Sequence, residues 1–202
     1  MTIATYSLAA TSFAALVHEI PSGAWDQPGL GDWDVRSLVG HTSRSLTTVR
    51  SYLQTTADRE DIATPQDYYV RVTPSALGID PADVAERGRQ AGRDLGDDPA
   101  ATVDELVSGV LDELASVGDP LIKVIGGMGI RLRTYLPTRV FELAVHGLDI
   151  ARALDIPWQL PDDVLAEALD IATRAATATG RGESLLLALT GRAALPPSFS
   201  VV

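Results

Sequence analysis

Apolar positions along the chain recur mostly at helical spacing rather than at the alternation of a strand. Over 3–20, Leu8, Phe13, Leu16, Val17 and Ile20 fall close to one stripe, which predicts an amphipathic first helix. A Gly- and Pro-rich run at 21–33 reads as a loop. Asp34 stands where a side chain can accept from the backbone N–H near Ser37 and so cap the next helix. That helix, about 35–56, gathers Val35, Leu38, Val39, Leu46, Val49 and Leu53 on one broad face. Residues 57–80 are mixed, and "DYYVRVT" within them alternates weakly, which predicts a short strand or an extended loop. Asp80 followed by Pro81 opens a further helix, which later glycines weaken. Residues 97–118 form a strong amphipathic helix with Val103, Leu106, Val107, Val110, Leu111 and Leu114 on one side. A Gly-interrupted connection at 119–132 leads into a long helix, about 133–154, in which the early Pro137 predicts a kink or a displaced start. Pro161 with acidic first-turn residues opens a helix over 160–180 that Gly180 ends, and a short apolar helix and a tail follow.

Four long helices within 3–154 predict an all-α fold, a four-helix bundle with additional C-terminal helices. The expected division is a bundle over 1–155 and a short helical extension over 156–202 packed on it. A chain of 202 residues is ample for one sizeable core.

Composition narrows the chemistry. There is no cysteine, which excludes disulfides, thiolate metal sites and a cysteine nucleophile. A net charge of -11 opposes nucleic-acid binding, which needs clustered Lys and Arg. No run of about eighteen apolar residues offers a membrane span. The first residues carry His18 and Glu19 and no basic leader, so a cytoplasmic protein is expected.

The long helix over 133–154 carries the most informative pattern. At about 100° per residue, Tyr135, Arg139, Glu142, His146 and Asp149 fall on one narrow line. Most of the remaining circumference is apolar, so this line is expected to face a cavity rather than open water. One reading is an internal ladder of ion pairs, Arg139 with Glu142 and His146 with Asp149. The other is a functional site. His41, one of three histidines, lies at the edge of the apolar face of the second long helix. Two imidazoles and a carboxylate on bundle-facing helices suit Zn²⁺, with Ni²⁺ or Fe²⁺ as alternatives, and leave a coordination position open. His18, near the end of the first helix, reads as a C-terminal helix histidine favoured by the dipole, with a fourth ligand as the minor alternative.

The stretches "GAWDQPGLGDWDVRSLVGH" and "YLPTRVFELAVHGLDIARAL" resemble the two signatures of the mycothiol-dependent maleylpyruvate isomerase-like proteins, in the same order and about 100 residues apart. These proteins belong to the DinB/YfiT-like superfamily of metal-binding four-helix bundles. The resemblance runs over roughly 5–155 and implies a DinB-like bundle. It implies His41, Glu142 and His146 as ligands of a divalent metal, usually zinc. It also implies a low-molecular-weight thiol as cosubstrate, mycothiol in actinobacteria, which suits the arginine-rich, GC-type composition of the chain. The isomerase carries a further α/β domain after its bundle. Here about 48 residues follow Leu154, so a transferase acting on another substrate is implied as readily as the isomerase reaction.

The resulting expectation is a metal-dependent thiol S-transferase or isomerase acting on a small electrophile. Arg139 would hold a carboxylate of substrate or thiol, Asp149 would orient His146, and Tyr135 is a candidate proton donor. The alternatives are a metal-dependent hydrolase using an activated water and a non-enzymatic metal- or ligand-binding bundle. Trp25 and Trp33 are expected to pack the loop. A monomer or homodimer is expected, with small molecules as the partners.

Overall fold

The helical stripes fold as helices in the computed structural model, which describes residues 2–73 and 76–201. In chain order, α1 (Thr2–His18) is followed by β1 (Pro28–Leu30) and β2 (Trp33–Asp34), then α2 (Val35–Leu53), α3 (Pro65–Arg71), α4 (Pro81–Asp94) and α5 (Pro99–Ser116). Next come β3 (Leu121–Lys123) and β4 (Gly129–Arg131), then α6 (Leu132–Ala153), α7 (Asp162–Ala178) and α8 (Gly182–Leu189). Helices α1, α2, α5 and α6 form a four-membered ring, in which α1 and α2 each touch both α5 and α6. Phe13, Leu16, Leu38, Leu46, Val103, Val110, Leu136 and Val140 fill its centre. Burying each of the larger side chains contributes about 1.5–3 kcal/mol. Helix α4 lies against α2, α7 packs on α6, α3 and α1, and α8 rests on α7.

Four sequence expectations change. The run at 21–33 is not only loop: β1 and β2 pair as a small antiparallel hairpin, turning at Gly31 with φ +57°. The segment "DYYVRVT" is largely helical rather than extended. Thr64 caps α3 by accepting from Asp67 N–H at 3.3 Å, and Pro65 occupies the first turn. Cap and proline together outweigh a weak alternation. The connection at 119–132 contains the hairpin of β3 and β4, with Ile122 opposite Ile130. Pro137 does not displace the start of α6, which begins at Leu132. Asp119 accepts from Arg133 N–H at 2.8 Å and Pro120 C=O accepts from Leu132 N–H at 3.0 Å, so the first turn is held from outside the helix.

The glycines of α4 do not break it, because they permit close contact. A Cβ at Gly40 of α2 would lie 2.2 Å from the Gly92 nitrogen, and one at Gly88 would lie 2.6 Å from the Trp33 indole. Helices α2 and α4 therefore touch backbone to backbone. Asp34 caps α2 as expected, accepting from Ser37 N–H at 2.7 Å. Among the described residues no helix is long and apolar enough to cross a membrane.

Candidate metal centre

Helices α2 and α6 cross where His41 faces the polar line of α6. One ligand atom from each of His41, Glu142 and His146 lies within 4.8 Å of the others. On α6, four-residue spacing places Glu142 and His146 on one face. Glu142 Oε2 is 3.3 Å from His146 Nε2, which matches the edge of a tetrahedron with bonds of about 2.0–2.1 Å. The imidazoles of His41 and His146 meet edge to face, with centroids 5.0 Å apart. His41 Nδ1 is buried and has no hydrogen-bond partner. Buried polar atoms are ordinarily satisfied. A buried imidazole nitrogen without a partner, beside a carboxylate and a second imidazole, fits a cation-binding set better than a structural hydrogen-bond network.

The surroundings fix each of these groups. Asp149 Oδ2 lies 3.1 Å from His146 Nδ1, so the three-residue spacing does reach the ring nitrogen that faces away from Glu142. Trp33 stacks on His41 with centroids 4.4 Å apart, and its indole N–H donates to Ala85 C=O of α4 at 2.9 Å. Trp33 packs the loop as expected, and in doing so it fixes a ring of the cluster. The Tyr69 hydroxyl lies 2.9 Å from Glu142 Oε1 and 2.9 Å from Thr138 C=O.

Electrostatics differentiate the three candidates. Burial, reinforced by the nearby His146, lowers the pKa of His41 to about 4. For His146, burial works against the charge, but hydrogen bonds to Asp149 and Glu142 outweigh it and raise the pKa to about 9. For Glu142, burial favours the neutral acid. The His146 hydrogen bond, the Arg139 charge and the Tyr69 hydrogen bond overcome it and lower the pKa to about 2. The free cluster at neutral pH thus holds a neutral His41, an ionised Glu142 and a protonated His146.

A cavity of about 300 Å³ opens beside the cluster between α2, α3 and α6. His41 and Glu142 reach its wall together with Arg44, Arg139, Tyr52, Tyr68, Tyr69 and Tyr135. Arg139 does not form the ion pair with Glu142 that the ladder reading calls for. Its guanidinium lies 5.2 Å and 4.8 Å from the ring centres of Tyr68 and Tyr135, and its Nε donates to Thr138 Oγ1 at 3.0 Å. The long side chain leans along the tyrosine faces, where cation–π attraction replaces a carboxylate partner. Among the described residues neither Arg44 nor Arg139 has a carboxylate within 4 Å, although the chain carries 27 acidic residues. Tyr135 is fully buried and donates to Thr48 Oγ1 at 3.0 Å. His18 stays outside the cluster, at the end of α1, with Nε2 2.8 Å from Asp104 Oδ2.

Sequence reasoning missed Tyr68, Tyr69 and Arg44. The two tyrosines sit in the segment read as extended, and Thr64–Pro65 was the signal that would have placed them on a helix. Arg44 is three residues after His41, within reach of one helix face.

A family model described as the mycothiol maleylpyruvate isomerase N-terminal domain matches residues 6–151. No curated protein and no solved structure matches the chain significantly.

Proposed function

The chain belongs to the mycothiol maleylpyruvate isomerase N-terminal domain family, and from that premise we propose that it is a metal-dependent enzyme joining a low-molecular-weight thiol to a small electrophile. The observation that carries this reading is the convergence of His41, Glu142 and His146 beside a cavity of about 300 Å³, with His41 and Glu142 at its wall. These three residues would hold a divalent cation, with zinc the best match to two imidazoles and a carboxylate. Such a cation lowers the pKa of a thiol from about 8.5, so that the thiolate is available at neutral pH.

The remaining roles belong to the protein. With no cysteine in the chain, the thiol must come from outside, and mycothiol is the family's candidate. Arg139 and Arg44 present positive charge to the cavity and suit an anionic group on the thiol or the electrophile. Asp149 holds His146 through Nδ1 and leaves Nε2 toward Glu142. Tyr135, whose hydroxyl is bound to Thr48, supports the cavity wall rather than donating a proton. The product class is an S-conjugate, or an isomer if addition to a double bond reverses. The test is incubation of the metal-loaded protein with mycothiol and a panel of electrophiles, with products read by mass spectrometry. Metal-dependent conjugates or isomers are the expected result. Turnover of esters or amides without thiol would replace this reading with hydrolysis.

The charge state of the free cluster gives a further expectation. Cation binding requires a neutral His146, whose pKa is raised to about 9, whereas His41, lowered to about 4, is already neutral. At pH 7 about one proton should leave for each cation bound. Apparent affinity should fall about tenfold per unit as pH drops below 9, and more steeply once His41 also protonates near pH 4. Calorimetry in buffers of different ionisation enthalpy measures the proton count, and a count near zero at pH 7 contradicts the assignment of His146 as a ligand.

A further inference from the structure

We propose that Tyr69 is a positioning residue that keeps Glu142 a one-oxygen ligand. The inference rests on the metal-binding reading given above. The two carboxylate oxygens of Glu142 have different partners: Oε1 is 2.9 Å from the Tyr69 hydroxyl, and Oε2 is 3.3 Å from His146 Nε2. Oε2 is therefore the oxygen turned toward the His146 imidazole. A phenol carries one proton, and Thr138 C=O, also 2.9 Å away, competes for it. The carboxylate is the stronger acceptor because charge-assisted hydrogen bonds exceed neutral ones.

The consequence is a coordination number. A carboxylate free to rotate can close on a cation with both oxygens, which fills a position that a substrate thiol needs. Tyr69 ties down the second oxygen and keeps that position available. It does so from α3, an element outside the four-helix ring. The ring of Tyr69 packs against Phe141 of α6, with centroids 5.1 Å apart, and α3 is held between α6 and α7. The tail helix α7 thus supports the segment that supplies this hydroxyl.

The test uses Co²⁺, whose visible spectrum reports coordination number. Wild-type protein, Tyr69→Phe and the control Tyr68→Phe are titrated with the metal, and affinity and absorbance are recorded. The expected result for Tyr69→Phe is a Kd weakened by about tenfold to a hundredfold. Its spectrum should shift from four-coordinate toward five-coordinate intensity, while Tyr68→Phe matches wild type. Wild-type binding with an unchanged Tyr69→Phe spectrum and affinity overturns this inference alone. Absence of Co²⁺ binding by wild type overturns the metal reading, and the inference with it. If Tyr69→Phe does not fold, the hydroxyl proton of Tyr69 is followed by NMR in the wild-type protein. It must shift when Zn²⁺ is added, and a resonance that does not move overturns the proposal.

Discussion

His41→Ala is expected to abolish stoichiometric zinc binding while leaving the bundle folded. His41 Nδ1 has no hydrogen-bond partner to lose, so the substitution removes a donor and some packing against Trp33 but breaks no bond at that atom. His146→Ala should have the same effect on zinc. It additionally frees Asp149 and leaves Glu142 without its closest cation. Loss of an outer partner of a metal ligand weakens binding by about tenfold to a hundredfold, and loss of a ligand itself should exceed that range. Metal analysis after dialysis, with circular dichroism to check folding, measures both effects. Thiol-dependent turnover should fall to the uncatalysed background in each variant. Full metal occupancy in folded His41→Ala would remove α2 from the site and with it the reading of the cavity as a metal-dependent one.

Gly40→Ala is expected to destabilise the fold strongly. The added Cβ would lie 2.2 Å from the Gly92 nitrogen and 2.4 Å from the Ala91 carbonyl carbon, both backbone atoms of α4. No flexible side chain is there to move aside, so α2 and α4 must separate. Overpacking of this kind costs about 1–3 kcal/mol, and more where backbone must shift. For a chain of this size each kcal/mol lowers Tm by about 2–4 °C. Gly23→Ala, where nothing lies within 4 Å, is the matched control and should leave Tm unchanged. Gly40→Ala should also loosen the site, because α4 anchors Trp33 through Ala85 C=O and Trp33 stacks on His41. Weaker zinc binding is therefore expected beside the lower Tm. An unaltered Tm in Gly40→Ala would mean that the α2–α4 contact is not as close as described.

These two substitutions separate what could be read along the chain from what could not. Helical periodicity, the Asp34 cap and the spacing of Glu142 and His146 are local properties. Each depends on residues within about one or two turns, where backbone geometry alone decides which side chains meet. The all-α class and the polar face of α6 were legible for that reason, as was His41 at the edge of an apolar face. The strand or extended-loop reading of "DYYVRVT" failed because a weak alternation was weighed over the Thr64–Pro65 helix start. The ladder reading's pair of Arg139 with Glu142 does not form because a flexible side chain takes the better of several surroundings. Spacing on one helix puts Tyr135 beside Arg139, but it cannot reveal the aromatic face of Tyr68, which lies on another helix.

By itself the sequence determined the long helices, the Asp34 and Asp80 caps, and the candidate ligands on α2 and α6. Only the tertiary structure decided that α2 and α6 cross with His41 against the Glu142–His146 face and that α3 brings Tyr69 to Glu142. It also placed Arg44 and Arg139 on one cavity, with no carboxylate within 4 Å among the described residues. Those arrangements join positions about 70 to 100 residues apart in the chain, from Tyr69–Glu142 to His41–Glu142. Close contact between separate helices depends on the summed packing of all their faces, which no single stretch of sequence contains.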